Sequence, residues 1–172
     1  MFSFNDYTSQ QLKNWEKSKR ILIYKNEEMY LEFIDFSLGN SEYKKKLYFG
    51  TISKEHANEI LLNTGVDVEG FNCALSADEV RKINSSHGDE KKENVRGQRA
   101  YTVEDYLVIP FVILSADVVE RSTKDYRNKP ALLFHKQIGD ESFTVVTGIS
   151  NKHLDVFVQT SWITKKETLP RR

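Results

Sequence analysis

This sequence is short of the residues that announce most chemistries. It has one cysteine, Cys73, in 172 residues. That excludes an internal disulfide and any site built from several thiolates. Cys73 reads as a small core residue, since no base stands beside it in the sequence. There are three prolines and eight glycines, too few for a linker or a low-complexity tract. No apolar run approaches the roughly 20 residues of a membrane span. The opening residues, Met1–Gln11, have neither a basic head nor a long apolar stretch, so no signal peptide is expected there. The four histidines are dispersed, with no HxH or HExxH spacing, so no metal site is expected. Gly-rich phosphate loops and the GxSxG elbow are absent, and no cofactor is expected.

Net charge is zero as well, with 25 basic against 25 acidic residues. The balance is uneven along the chain. Residues 121–172 carry ten Lys and Arg against five Asp and Glu, and residues 1–120 carry the opposite excess. A basic C-terminal part suits a polyanion, and it equally suits ordinary solvated surface.

Bulky apolar material is plentiful. Ten Phe, eight Tyr and two Trp supply a core for one domain of this length. Helical spacing and caps predict helices over Thr8–Arg20, over Lys54–Asn63 and from Ser76 to Gly88. Ser76-Ala-Asp-Glu79 is a capping-box pattern. Thr102 opens a further helix, and Pro110 splits that helical stretch into two short pieces. Arg20–Tyr24 and Leu47–Ile52 read as strands, and Glu28–Phe36 fits helix or strand. Asp89–Arg99 is dense in charge and reads as a mobile loop or an exposed helical turn.

From Asp117 onward the period changes to two. Strands are expected near Asp117–Ser122, Ala131–Ile138, Ser142–Ser150 and Leu154–Ile163, joined by short turns that suit hairpins. The expected fold is α+β: N-terminal helices packed on a four-stranded antiparallel meander. Residues 1–46 form an N-terminal extension of helix plus strand, residues 47–166 the main domain, and residues 167–172 a tail. With regular alternation, Leu132, Phe134, Lys136 and Ile138 share a face. So do Phe143, Val145, Thr147 and Ile149, and then Leu154, Val156, Val158, Thr160 and Trp162. Lys136, Thr147 and Thr160 stand out as polar members of those rows.

His87 closes the predicted helix from Ser76. Imidazole is the side chain that moves protons near neutral pH, and a helix C-terminus favours its cation. The plainer reading is a histidine that caps the last carbonyls. His56 reads as a surface residue; His135 and His153 flank the sheet and read as polar surface residues or as helpers of an anion site.

The order of several short motifs carries more weight than any one of them. Tyr48-Phe-Gly50 is followed by Ala57, Ile60 and Thr64-Gly65, then Ser85-Ser-His87-Gly88. Gly97-Gln98, Thr102-Val-Glu-Asp105, Pro110 and Val158-Gln-Thr160 complete the series. This order resembles a family of small nucleases of phages and other mobile elements, grouped with barnase, EndoU, the tRNase colicins and RelE. The resemblance covers roughly residues 47–166. It implies a barnase-like fold and a metal-independent endoribonuclease acting as a toxin or effector. RNA, including tRNA, would be the substrate and an immunity protein a partner, with action in the cytoplasm after delivery or phage expression. It places the family's helix-end His on His87 and the Thr of the last strand on Thr160. Its basic residue falls on Lys136, and a further one on Lys165 or Lys166.

Those residue types suit the chemistry. RNA can be cleaved with its own 2′-hydroxyl as nucleophile, given a proton acceptor and donors for the phosphate. His87, Lys136 and Thr160 are the expected catalytic residues. Arg96, Gln98, Tyr101, Trp162 and Lys165 are the expected substrate contacts, with Tyr101 or Trp162 stacking a base. The main alternative is an inactive RNA- or protein-binding module on the same fold. An ADP-ribosyltransferase is disfavoured, because Glu141, the one acidic residue near the start of a late strand, lies at a turn.

Overall fold

The structure is a computed structural model, and it describes residues 20–125 and 129–165. The expected helix over Thr8–Arg20, the tail and Lys166 lie outside the described residues.

The first described elements are β1 (Ile21–Ile23), α1 (Glu27–Gly39) and β2 (Lys46–Thr51). The ambiguous segment is a helix. Asn26 caps it by accepting from the Met29 N–H at 2.8 Å, and Tyr30, Phe33, Ile34 and Ser37 form its buried stripe. Then come α2 (Lys54–Thr64) and β3 (Asn72–Ser76). Gly65 ends α2 at φ 74°, a left-handed conformation that glycine adopts without a steric penalty. Ser76 caps α3 (Ala77–His87) by accepting from the Glu79 N–H at 3.2 Å.

The charged segment after α3 adopts the helical turn of its two readings. It forms α4 (Glu90–Val95) and the two-residue strand β4 (Gln98–Arg99). Asp89 caps α4 by accepting from Lys91 N–H at 2.9 Å. A 3-10 turn (Val103–Val108) and α5 (Ile109–Leu114) come next, with Pro110 in the first turn of α5, where its missing N–H costs nothing. The chain ends in β5 (Val118–Arg121), β6 (Leu132–Ile138), β7 (Glu141–Ser150) and β8 (Asp155–Lys165).

These strands make one mixed sheet in the order β1-β2-β3-β8-β7-β6-β5, with β4 also paired to β8. The expected N-terminal helices on a four-stranded antiparallel meander are therefore overturned. β1 pairs with β2 in parallel, β3 pairs with β8 in parallel, and helices alternate with strands along the chain. The reason lies in β3. Its first four residues are all buried, so it shows no polar alternation, and its partner β8 is distant in sequence.

One face of the sheet is covered. Leu132, Phe134, Val145, Ile149, Val156, Val158 and Ile163 are buried in a single core with Phe33, Ile60, Ile83 and Tyr106. Among the described residues, the other face is mostly half-buried over β6 to β8. Where regular alternation is expected, β8 carries a bulge. Val146 pairs with Thr160, but Thr147 pairs with Val158, leaving Gln159 as the extra residue. The bulge reverses the phase of β8. Val156 and Val158 share the covered face with Ser161 and Ile163, all nearly fully buried, while Thr160 and Trp162 turn to the opposite face. The expected row from Val158 through Thr160 to Trp162 does not exist.

Candidate functional site

β3 and β4 pair with opposite ends of the same edge of β8, at Asn72–Ala74 and Gln98–Arg99. α3 packs against β8 and ends at His87, whose carbonyl accepts from Tyr101 N–H at 2.7 Å. The His87 ring lies on Trp162, with centroids 5.9 Å apart. Through Trp162, His87 joins the half-buried face that also carries Thr160.

His87 is held by a residue the sequence did not single out. Its Nδ1 lies 3.1 Å from Glu93 Oε2. Glu93 is completely buried, and its other oxygen accepts from Arg96 Nη1 at 2.7 Å. The same Arg96 nitrogen donates to Ser86 O at 3.0 Å, tying α4 to the last turn of α3. A buried carboxylate on Nδ1 fixes the ring and its tautomer, with the proton on Nδ1. Nε2 then carries the lone pair and has no hydrogen bond among the described residues. The one available sequence signal was a glutamate four residues after the Asp89 cap, in a segment that reads as solvated charge.

Lys165 closes the other side of α4, with Nζ 2.9 Å from Asn94 Oδ1 and 3.7 Å from Glu90 Oε1. Gly97, at φ 73°, makes the turn from α4 into β4. Gln98 then pairs with Thr164, which shares the phase of Thr160 and Trp162, and Gln98 Oε1 is buried without a partner among the described residues. On the same face His135 Nδ1 contacts Thr144 Oγ1 at 3.0 Å, and His135 Nε2 lies 3.4 Å from Glu120.

Two expected site residues lie elsewhere. Lys136 is on the covered face. Its Nζ donates to Ser115 O at 2.8 Å at the end of α5, pairs with Asp117 at 3.2 Å and sits 4.9 Å over the Phe111 ring. It caps a helix and anchors an edge strand. The backbone N–H of Gln137 and the Lys136 ammonium, in that order, hold Asp117 below the usual carboxylate range. Tyr101 is buried in the core, edge-on to Tyr106 at 5.0 Å, where it cannot stack a base. Burial pushes its phenol well above the usual range. The structure thus brings together His87, Arg96, Gln98, Trp162 and Lys165 around α4 and the end of β8, with Thr160 in the middle of that strand and on the phase of Trp162. It does not bring Lys136 or Tyr101 to them.

Beneath the site, Arg99 locks β4 to the sheet. It makes paired bonds to Asp105 at 2.8 Å, contacts Glu141 through Nε, and reaches Glu141 Oε1 from Nη2 at 3.0 Å. Glu141 is therefore a structural anchor. Burial works to raise the Asp105 carboxyl, but Arg99 and the Thr102 N–H and hydroxyl outweigh it and hold it low.

A helix-terminal histidine, a buried carboxylate behind it and a half-exposed sheet face thus meet within one small α+β fold. A family model described as phage-Barnase-EndoU-ColicinE5/D-RelE like nuclease3 matches residues 50–170. The chain belongs to that nuclease family, and its substrate class is nucleic acid. No curated protein and no solved structure matches the chain. Among the described residues, no helix is long and apolar enough to cross a membrane.

Proposed function

We propose that this protein is an endoribonuclease that cleaves RNA without a metal, using His87 as the proton acceptor. The observation that carries the reading is the His87–Glu93 contact at 3.1 Å, with Glu93 wholly buried and Nε2 unengaged among the described residues. In the reaction, Nε2 of His87 takes the proton of the 2′-hydroxyl. The 2′-oxygen bonds to phosphorus and the bond to the 5′-oxygen breaks. The leaving oxygen takes a proton from water, giving a 2′,3′-cyclic phosphate and a 5′-hydroxyl. Glu93 keeps the ring oriented and stabilises the imidazolium.

The Thr160 hydroxyl, on the half-buried face, donates to a non-bridging phosphate oxygen. Arg96, whose side chain is 48% exposed, supplies positive charge beside it. Trp162 supports the imidazole and offers its remaining face to a base. Lys136 has no part in this step, because it is committed to Ser115 and Asp117 on the covered face.

The same reading makes the protein a toxin of phage or mobile-element origin, acting on RNA in the cytoplasm and restrained by an immunity protein. The phage association of its family supports this. The test is incubation of the purified chain with tRNA, total RNA and single-stranded DNA in EDTA, with end mapping. Cleavage of RNA to cyclic phosphate ends, lost in His87→Ala, is the expected result. Activity that vanishes with EDTA, acts on DNA alike, or survives His87→Ala overturns it. RNA binding without turnover would instead mark an inactive binding module. Growth arrest on expression, relieved by His87→Ala, tests the toxin role.

A further inference from the structure

One polar side chain at the site is left alone by its neighbours. Glu93 is shared by His87 and Arg96, Lys165 is held by Asn94, and Arg99 is taken up by Asp105 and Glu141. Gln98 sits among them on β4. Its Oε1 is buried, and its amide has no hydrogen-bond partner among the described residues. A polar group left unpaired in well-paired surroundings calls for a reason, and a catalytic role is one of the usual ones.

The backbone under Gln98 is fixed on both sides. Gly97 at φ 73° turns the chain out of α4, and the Lys165 N–H donates to Gly97 O at 3.3 Å. Gln98 then pairs with Thr164 and Arg99 with Ile163 at the end of β8. The Arg99 side chain bonds Asp105 at 2.8 Å and Glu141 at 3.0 Å, which pins β4 from the far side. Such a platform holds the next side chain to one position.

The strand register says where that position is. Paired residues on antiparallel strands share a face, so Gln98 lies on the face of Thr164 and Trp162. Trp162 is its diagonal neighbour, at about 7–8 Å. The His87 ring rests on Trp162 with centroids 5.9 Å apart, and His87 O accepts from the Tyr101 N–H, three residues after Gln98. The amide and the imidazole therefore flank Trp162 on one face of the sheet.

The amide is also turned the right way. Oε1 is its buried end, so Nε2 is the end that half-buried Gln98 presents. Beside it stands the half-exposed guanidinium of Arg96. A fixed N–H donor next to a cation suits an oxygen that gains negative charge, and it needs no reorganisation as the charge develops. In cleavage by the 2′-hydroxyl, that charge grows on the non-bridging oxygens of phosphorus.

We propose that the scissile phosphate bridges His87 and Gln98, and that Gln98 is a catalytic residue. Its Nε2 donates to one non-bridging oxygen, most strongly in the pentavalent transition state. The bonds made and broken are those given above, and Gln98 transfers no proton. The inference rests on the ribonuclease reading and deepens it.

The experiment is cleavage in EDTA of a short RNA with one cuttable linkage, by wild type, Gln98→Ala and Gln98→Glu. The linkage is made as ordinary phosphate and with sulfur on either non-bridging oxygen. Sulfur is the poorer acceptor. Wild type should cut one sulfur diastereomer about tenfold or more slower than the other, the worth of one hydrogen bond to a charged group. On the ordinary phosphate, Gln98→Ala should lower kcat about 10²–10³-fold, with KM within about twofold. It should also bring the two diastereomers within about twofold of each other. A merely structural role lowers both rates and leaves their ratio standing. Gln98→Glu keeps the size of the side chain and loses the donor, so it should match or exceed the loss in Gln98→Ala. A rate near wild type in Gln98→Glu overturns the proposal. So does a diastereomer ratio that survives in either variant, or a loss confined to certain bases, which would put Gln98 on a base edge. If His87→Ala abolishes cleavage and Gln98→Ala does not, the ribonuclease reading stands and this inference fails. If wild type cleaves no RNA, that reading fails and takes this one with it.

Discussion

Glu93 is fully buried and holds His87 through Nδ1 at 3.1 Å, with Arg96 on its other oxygen at 2.7 Å. A buried acid makes the difference between a histidine that caps a helix and one oriented for proton transfer. Glu93→Gln should therefore lower the rate of RNA cleavage by about 10–100-fold with little change in KM. The pH profile of kcat should move with it, which a loss of folding alone would not produce. An unchanged profile and rate would remove Glu93 from the mechanism.

Replacing His87 by Ala should reduce kcat by about 10²–10⁴-fold, the usual worth of a positioned acid or base. His87 is only partly buried, so the variant should retain a cooperative thermal transition by circular dichroism.

Lys136 supplies the contrast. Lys136→Met removes the bonds to Ser115 O and Asp117 and should cost about 1–2 kcal/mol of stability in a urea titration. Cleavage by the folded variant should remain within about twofold of wild type. A large loss of kcat without loss of stability would return Lys136 to the site.

Gly148→Val should be poorly tolerated, because its first side-chain carbon would meet the Phe157 ring at 2.4 Å. A loss of about 1–3 kcal/mol is expected, as for other overpacked positions. Gly148→Val combined with Phe157→Ala should recover much of it, since the clash would be gone. Thermal melts of the three variants measure this.

The Asp105–Arg99 pair predicts the acid limb of stability. Although burial opposes it, Arg99 and Thr102 hold the Asp105 carboxyl below its ordinary 3.8. Near and below that pH the unfolded chain binds more protons than the native one. The pair's contribution is present above pH 3.8 and is lost as pH falls through the lower native value. Asp105→Asn should lower stability at pH 7 by about 3 kcal/mol and flatten the loss of stability between neutral and strongly acid pH. Urea titrations across that range check it.

Local signals were legible where they act within one turn or one hairpin. Ser53 and Ser76 each cap a helix through neighbouring N–H groups, and Gly65 ends one at positive φ. The hairpin from β6 to β7 keeps its period-two pattern, with Gly139 at φ 60° in the turn. β3 left no such trace, because a strand buried on both faces alternates nothing. The bulge at Gln159 was equally silent, and it alone moved Thr160 and Trp162 away from the face of Val158.

The candidate site divides the same way. His87, Thr160 and Gln98 could be chosen from residue type and motif order; Gln98 pairs with the end of β8, His87 lies on Trp162, and Thr160 sits in the middle of the strand. Glu93 could not, because its importance comes from burial, which a run of charges conceals. Glu79 has the same history: its pattern marked a cap, while its side chain lines a cavity.

The amino-acid sequence by itself determined the caps, the turns, the late strands and the nuclease family, since each depends on neighbours along the chain or on motif order. Only the tertiary structure decided which strands meet, which face each carries and which acid stands behind His87. Those depend on parallel pairing between distant strands, on one extra residue in β8, and on the burial of a single carboxylate.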